Sequence, residues 1–202
     1  AYIRPRASIV EGVSVVGLNH GNNGVDIQLG NGEKISAGKA FVCNGWEAYP
    51  LLQPIIGNMS SGKPIGRGVK GQAVLLEYSH DDDLPIVYHD GSYIVPHSGN
   101  RVAIGSTSEN NWQNGQCPTP RQFDFDNMGF YHKAVDLVPA LKNAPVIEHW
   151  ANVRPRNTLE GRGTSPWLGP VPDHENLTAL IGGFKITFGI AHLDFFKEPF
   201  TD

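Results

Sequence analysis

Apolar positions in the first quarter of the chain fall into short runs, 13–18, 25–29 and 35–42, separated by clusters of Gly and Asn. Runs of this length between turn residues predict strands. Gly30-Asn31-Gly32-Glu33 predicts a tight hairpin, because Asn and Gly tolerate positive φ, so 25–29 should pair antiparallel with the run that starts at Lys34. The following strand ends at Asn44-Gly45, and Trp46-Glu47-Ala48-Tyr49 predicts a short helix stopped by Pro50. Further on, 72–77, 86–88, 92–95 and 101–105 are apolar or alternating, with Ser98-Gly99-Asn100 as a hairpin loop. They predict an antiparallel meander. Between Thr119 and Lys142 the period changes. Thr119-Pro120 supplies a helix start, and Met128, Tyr131, Val135 and Val138 recur at helical spacing up to Pro139, which predicts one amphipathic helix packed on the sheet.

Composition narrows the class. The 202 residues are 40% hydrophobic and 18% charged, which argues against disorder, and 24 Gly with 15 Pro favour turns and short strands over long helices. A net charge of −4 without a long Lys/Arg block argues against nucleic acid as a partner. No apolar run reaches the ~18 residues that a membrane span needs. Cys43 and Cys117 make no disulfide framework; Cys43 reads as a buried small hydrophobe in a strand, and a reduced, cytoplasmic setting is the expectation.

Several motifs carry no chemistry. Gly57-Asn58-Met59-Ser60-Ser61-Gly62-Lys63 has the spacing of a phosphate loop, but Pro64 occupies the position that needs a Ser or Thr hydroxyl for Mg²⁺. Asp81-Asp82-Asp83 lacks the spaced partners of a metal loop. The eight histidines form no cluster at ligand spacing, so no metal site is expected. The run from Leu180 to Gly189 differs: Gly182 and Gly183 allow main-chain N–H groups close to a partner, Thr187 stands where a helix could begin, and Lys185 sits among apolar neighbours. Such a lysine would bind a carboxylate or hydrogen-bond a cofactor ring.

Four segments resemble, in order, the C-terminal half of the FAD-dependent amino-acid and amine oxidases, the family of D-amino acid oxidase, glycine oxidase and sarcosine oxidase. They are Ala40-Phe41-Val42-Cys43-Asn44-Gly45-Trp46; Gly68-Val69-Lys70-Gly71-Gln72 followed by Tyr93-Ile94-Val95-Pro96 and 101–107; Trp150-Ala151-Asn152-Val153-Arg154-Pro155; and Gly183-Phe184-Lys185. The resemblance implies an α+β fold: an antiparallel or mixed β-sheet substrate domain with packed helices over 64–157, and part of a Rossmann-like FAD-binding domain over 1–63 and 158–202. No Gly-x-Gly-x-x-Gly occurs in the sequence, so the N-terminal half of that domain is expected to be missing and supplied by a longer protein or a partner subunit.

The implied chemistry is oxidation of the C–N bond of a small amino acid or secondary amine by hydride transfer to FAD. Arg154 is expected to clamp the substrate carboxylate, with Arg156 as the near alternative, Tyr93 hydrogen-bonding the same carboxylate, and Lys185 beside the flavin. Trp150 is expected in the core. Asn44, Gly45, Gly182, Gly183, Phe184, Lys185, Ile186 and Thr187 are the expected cofactor contacts. No Cys lies between Arg154 and Gly182, where sarcosine oxidases place the thiol that links to flavin, so FAD is expected to be non-covalent. The alternative is a non-catalytic substrate-binding module.

Overall fold

The computed structural model describes residues 7–21, 24–56, 61–81, 83–110, 119, 123–159 and 165–182. Two compact units emerge, Ala1–Arg67 with Arg156–Asp202, and Gly68–Pro155.

In the first unit, strands β1 (Val15–Gly21), β2 (Gly24–Leu29) and β3 (Lys34–Ala37) form an antiparallel meander, with Gln28 opposite Lys34 across the hairpin. The 35–42 run is not one strand. It breaks at Gly38-Lys39, and β4 (Ala40–Val42) joins a second sheet. There β4 lies parallel to β11 (His174–Ile181), which pairs antiparallel with β10 (Trp167–Val171). After β4 a 3-10 turn, Gly45–Glu47, leads into α1 (Ala48–Ile56). Pro50 does not stop this helix, because it sits in the first turn, where N–H groups have no intrahelical partner. Pro54 lies inside it, where the lost hydrogen bond is offset by burial of Ala48, Tyr49, Leu52 and Ile56 at three- and four-residue spacing. These side chains share a core with Val25, Val42, Trp167, Leu177 and Ile181. Cys43 is exposed, not buried: in a three-residue strand that alternates, Val42 points inward and its neighbours outward. Partial desolvation still pushes its thiol pKa up.

The second unit is built on a five-stranded sheet, order β6-β7-β8-β5-β9. Its strands are β5 (Gly66–Glu77), β6 (Val87–His89), β7 (Ser92–His97), β8 (Arg101–Gly105) and β9 (Val146–Asn157), the first and last running slightly past the unit's limits. The pairs β6/β7, β7/β8 and β8/β5 are antiparallel. Even-numbered positions point to one face: Val74 and Leu76 oppose Ile104 and Val102, and Ile94 opposes Ile104. That face packs against α2 (Gly129–Leu137) through Phe130 and Ala134. The helix is shorter than the spacing predicts. It starts only after a 3-10 turn, Phe125–Asn127, whose Asp126 N–H donates to the Asp124 carboxylate, and Pro139 opens a second 3-10 turn beyond it. Trp150 is a further departure, 40% exposed on the half of edge strand β9 where residues 146–150 all face solvent.

Candidate functional site

Strand alternation in the second unit leaves odd-numbered positions of β5, β7 and β8 on the face opposite α2. Tyr93 pairs with Gly105, and Gly105 pairs with Ala73, so one row across three strands reads Tyr93, Gly105, Ala73 and spans two strand spacings, roughly 10 Å. Gly71 lies two residues from Ala73 along the same side of β5. The Arg154 guanidinium covers Gly71 so closely that a Cβ there would overlap its nitrogens. Tyr93 is 44% exposed, and its ring tilts against that of Tyr88 with centroids 4.7 Å apart. Arg154 and Tyr93 therefore share a face with Gly105, Ala73 and Gly71, which carry no large side chain of their own. A cation and a phenol on one face can bind and orient a small carboxylate.

Arg154 is also held by the protein. One terminal nitrogen donates to the Thr107 carbonyl at 2.6 Å and the other to Ser106 Oγ at 3.3 Å. Thr107 in turn connects to a polar cluster absent from the sequence expectations. Its hydroxyl donates to Glu109 Oε1 and accepts from the Gln72 backbone N–H at 3.0 Å, while the buried Gln72 amide donates to the same carboxylate oxygen and accepts from Asp124 N–H. Glu109 Oε2 lies 3.7 Å from Lys70 Nζ, with both side chains nearly buried. A signal for this cluster does exist in the sequence: Lys70 and Gln72 occupy even positions of β5, in line with Val74 and Leu76. Polar residues with core parity need partners.

In the first unit, β4 and β11 run parallel with Val42 level with Ala179. Three residues on along each strand are Gly45 and Gly182, so both, with Asn44, stand outside the carboxyl ends of neighbouring parallel strands, where ligands of α/β sheets bind. Gly45 has φ +63 with nothing near the space a Cβ would fill, and Gly182 has φ +94. Tyr49, 2% exposed, carries a buried hydroxyl with no hydrogen-bond partner among the described residues, and burial pushes its pKa well up. That hydroxyl lies 3.9 Å from where a Gly182 Cβ would be. Glycine backbone at positive φ, with an unsatisfied hydroxyl beside Gly182, fits a polar ligand group such as a flavin presents. Gly183, Phe184, Lys185, Ile186 and Thr187 lie outside the described residues. Arg156 is half-buried on the last residues of β9. Among the described residues no His/Cys/Asp/Glu group could hold a metal, and no helix is long and apolar enough to cross a membrane.

A glycine oxidase of Pseudomonas putida is 34% identical over 117 residues, 58% of this chain and 30% of the relative. One from Pseudomonas aeruginosa is 30% identical over 168 residues, 83% of this chain and 42% of the relative. The crystal structure of glycine oxidase from Geobacillus kaustophilus superposes with a TM-score of 0.69 at 24% identity, covering 94% of this chain and 50% of that one. This chain thus spans less than half the length of these curated relatives. Residues 3–193 match the DAO family, described as FAD dependent oxidoreductase, and the chain belongs to that family.

Proposed function

We propose that this chain is part of a flavin-dependent oxidoreductase that oxidises the C–N bond of a small amino acid or secondary amine. The observation that carries the substrate class is Arg154 lying over Gly71 on the same sheet face as Tyr93. The Gly68–Pro155 unit is the substrate-binding unit in this reading. Arg154 binds the carboxylate through its guanidinium, and the Tyr93 hydroxyl donates to the same group, which orients the carbon bearing the amine. The small residues Gly71, Ala73 and Gly105 on this face suit a substrate the size of glycine or its N-methyl derivatives. Asn44, Gly45 and Gly182, with Gly183, Phe184, Lys185, Ile186 and Thr187, would hold FAD non-covalently. When bound, FAD supplies the hydride acceptor. Lys185 would place a positive charge where the reduced ring becomes anionic.

The second reading, a substrate-binding module without flavin, is favoured by one fact: two Arg154 nitrogens already serve Thr107 and Ser106. The full-length protein purified from its native source separates the two. The enzyme reading expects a yellow protein absorbing near the ~450 nm of oxidised flavin. It also expects Arg154→Ala to raise KM for glycine or its N-methyl derivatives by about 10–100-fold, the loss of a charge-assisted hydrogen-bonded pair. A colourless protein that takes up no flavin on titration would overturn it.

A further inference from the structure

A guanidinium on a four-carbon stem clamps a carboxylate well only when its own orientation is fixed, because freezing a rotamer-rich side chain at the moment of binding subtracts from affinity. Arg154 is oriented by a residue whose two ends do different work. The Thr107 carbonyl accepts from the guanidinium, while its hydroxyl bridges the Gln72 backbone N–H and the Glu109 carboxylate. That bridge is anchored in turn. Glu109 is paired with Lys70 both through the side chains and through reciprocal backbone hydrogen bonds of 3.0 and 2.9 Å, and Gln72, 1% exposed, ties the same carboxylate to the Asp124 backbone. A further bond, Thr107 N–H to the Gln72 carbonyl at 3.3 Å, closes the link to β5.

We propose that Thr107 is a positioning residue for the carboxylate clamp: the buried Lys70, Gln72 and Glu109 cluster fixes its hydroxyl, and its carbonyl thereby holds the Arg154 guanidinium over Gly71. This rests on the reading of Arg154 as the substrate clamp. A residue that merely stabilised the fold would change the melting temperature and leave the affinity for a small carboxylate alone.

The test is glycine binding to the full-length, flavin-loaded protein, measured by calorimetry, with hydrogen exchange at Arg154 Nε followed by NMR. Thr107→Val keeps shape and carbonyl but removes the hydroxyl; it is expected to weaken glycine about tenfold and to speed Nε exchange, while Thr107→Ser restores both, the tenfold being of the size of one charge-linked hydrogen bond. Glu109→Gln, which keeps the acceptor oxygen but not the charge, is expected to give a smaller loss in the same direction. Should Thr107→Val fail to fold, the Glu109→Gln and Thr107→Ser pair still decides the matter. If the folded variants bind glycine and exchange Nε as the native protein does, while Arg154→Lys loses binding, the positioning role is overturned and the clamp stands. If Arg154→Lys also binds normally, the clamp itself is wrong, and the inference falls with it.

Discussion

The two candidate sites, one in each unit, differ in the kind of group they present. On the sheet face of Gly68–Pro155 the working groups are side chains, and the structure ties them down: Arg154 to Thr107 and Ser106, Thr107 to Glu109 and Gln72, Glu109 to Lys70. At the strand ends of the other unit the working groups are backbone. Gly45 and Gly182 hold positive φ, and the buried Tyr49 hydroxyl near Gly182 has no acceptor among the described residues. The difference teaches what each place recognises. A charged, preorganised side chain selects by charge and direction, whereas open backbone accepts close approach and leaves polar demand to be met by what arrives.

The comparison can be broken most severely at Gly66, where a Cβ would overlap the Tyr49 ring. That ring is buried in the core beside Leu52 and Ile56, so it has little room to move. Gly66→Ala is expected to destabilise the first unit by about 2–3 kcal/mol, from overpacking, seen as a lower midpoint in urea. Gly71→Ala makes a similar intrusion against a different neighbour, the end of the flexible Arg154 side chain. Here the guanidinium gives way. Stability should fall by under about 1 kcal/mol while glycine affinity falls about tenfold, as the clamp loses its orientation. Equal losses of stability at the two glycines would erase the distinction between a packed ring and a displaceable cation.

The smallest effect is expected well away from either place. Asp90, at positive φ in the β6–β7 turn, is paired with Lys133 of α2, and the hydrogen bond and charge of that lysine hold its carboxyl below the usual range. A depressed pKa in the folded state means stability that is present above the unfolded value and lost as pH falls through the folded one. Asn tolerates the same backbone. Asp90→Asn should therefore lower the melting temperature slightly at neutral pH and not at all at strongly acidic pH, with the difference shrinking in salt, since both groups are exposed.

Much of the sheet was legible in the sequence because burial on one face imposes alternation. β8 runs over the predicted 101–105, and the Asn31-Gly32 turn joins β2 to β3 as the predicted antiparallel pair. The α1 helix was harder to read, since Pro50 looks like a stop until its place in the first turn is known, and neither Pro prevents burial of Leu52 and Ile56. β9 lacked a signal because its first five residues are all exposed and Pro155 near its end suits an edge strand. Arg154 and Tyr93 stand out as candidates in local motifs, but not the Thr107 link, whose partners Gln72 and Glu109 lie 37 residues apart along the chain. Core-parity polar residues reveal that partners must exist without saying which.

The most direct measurement is a glycine titration of the full-length, flavin-loaded protein with the Arg154 Nε–H resonance as the probe. The account predicts a saturable shift of that resonance, with slower exchange as the carboxylate closes on the guanidinium, and the same response moved to about tenfold higher glycine in Gly71→Ala. A resonance that stays unmoved while the protein turns over glycine would contradict it, and would leave Arg154 in a structural role toward Thr107 and Ser106.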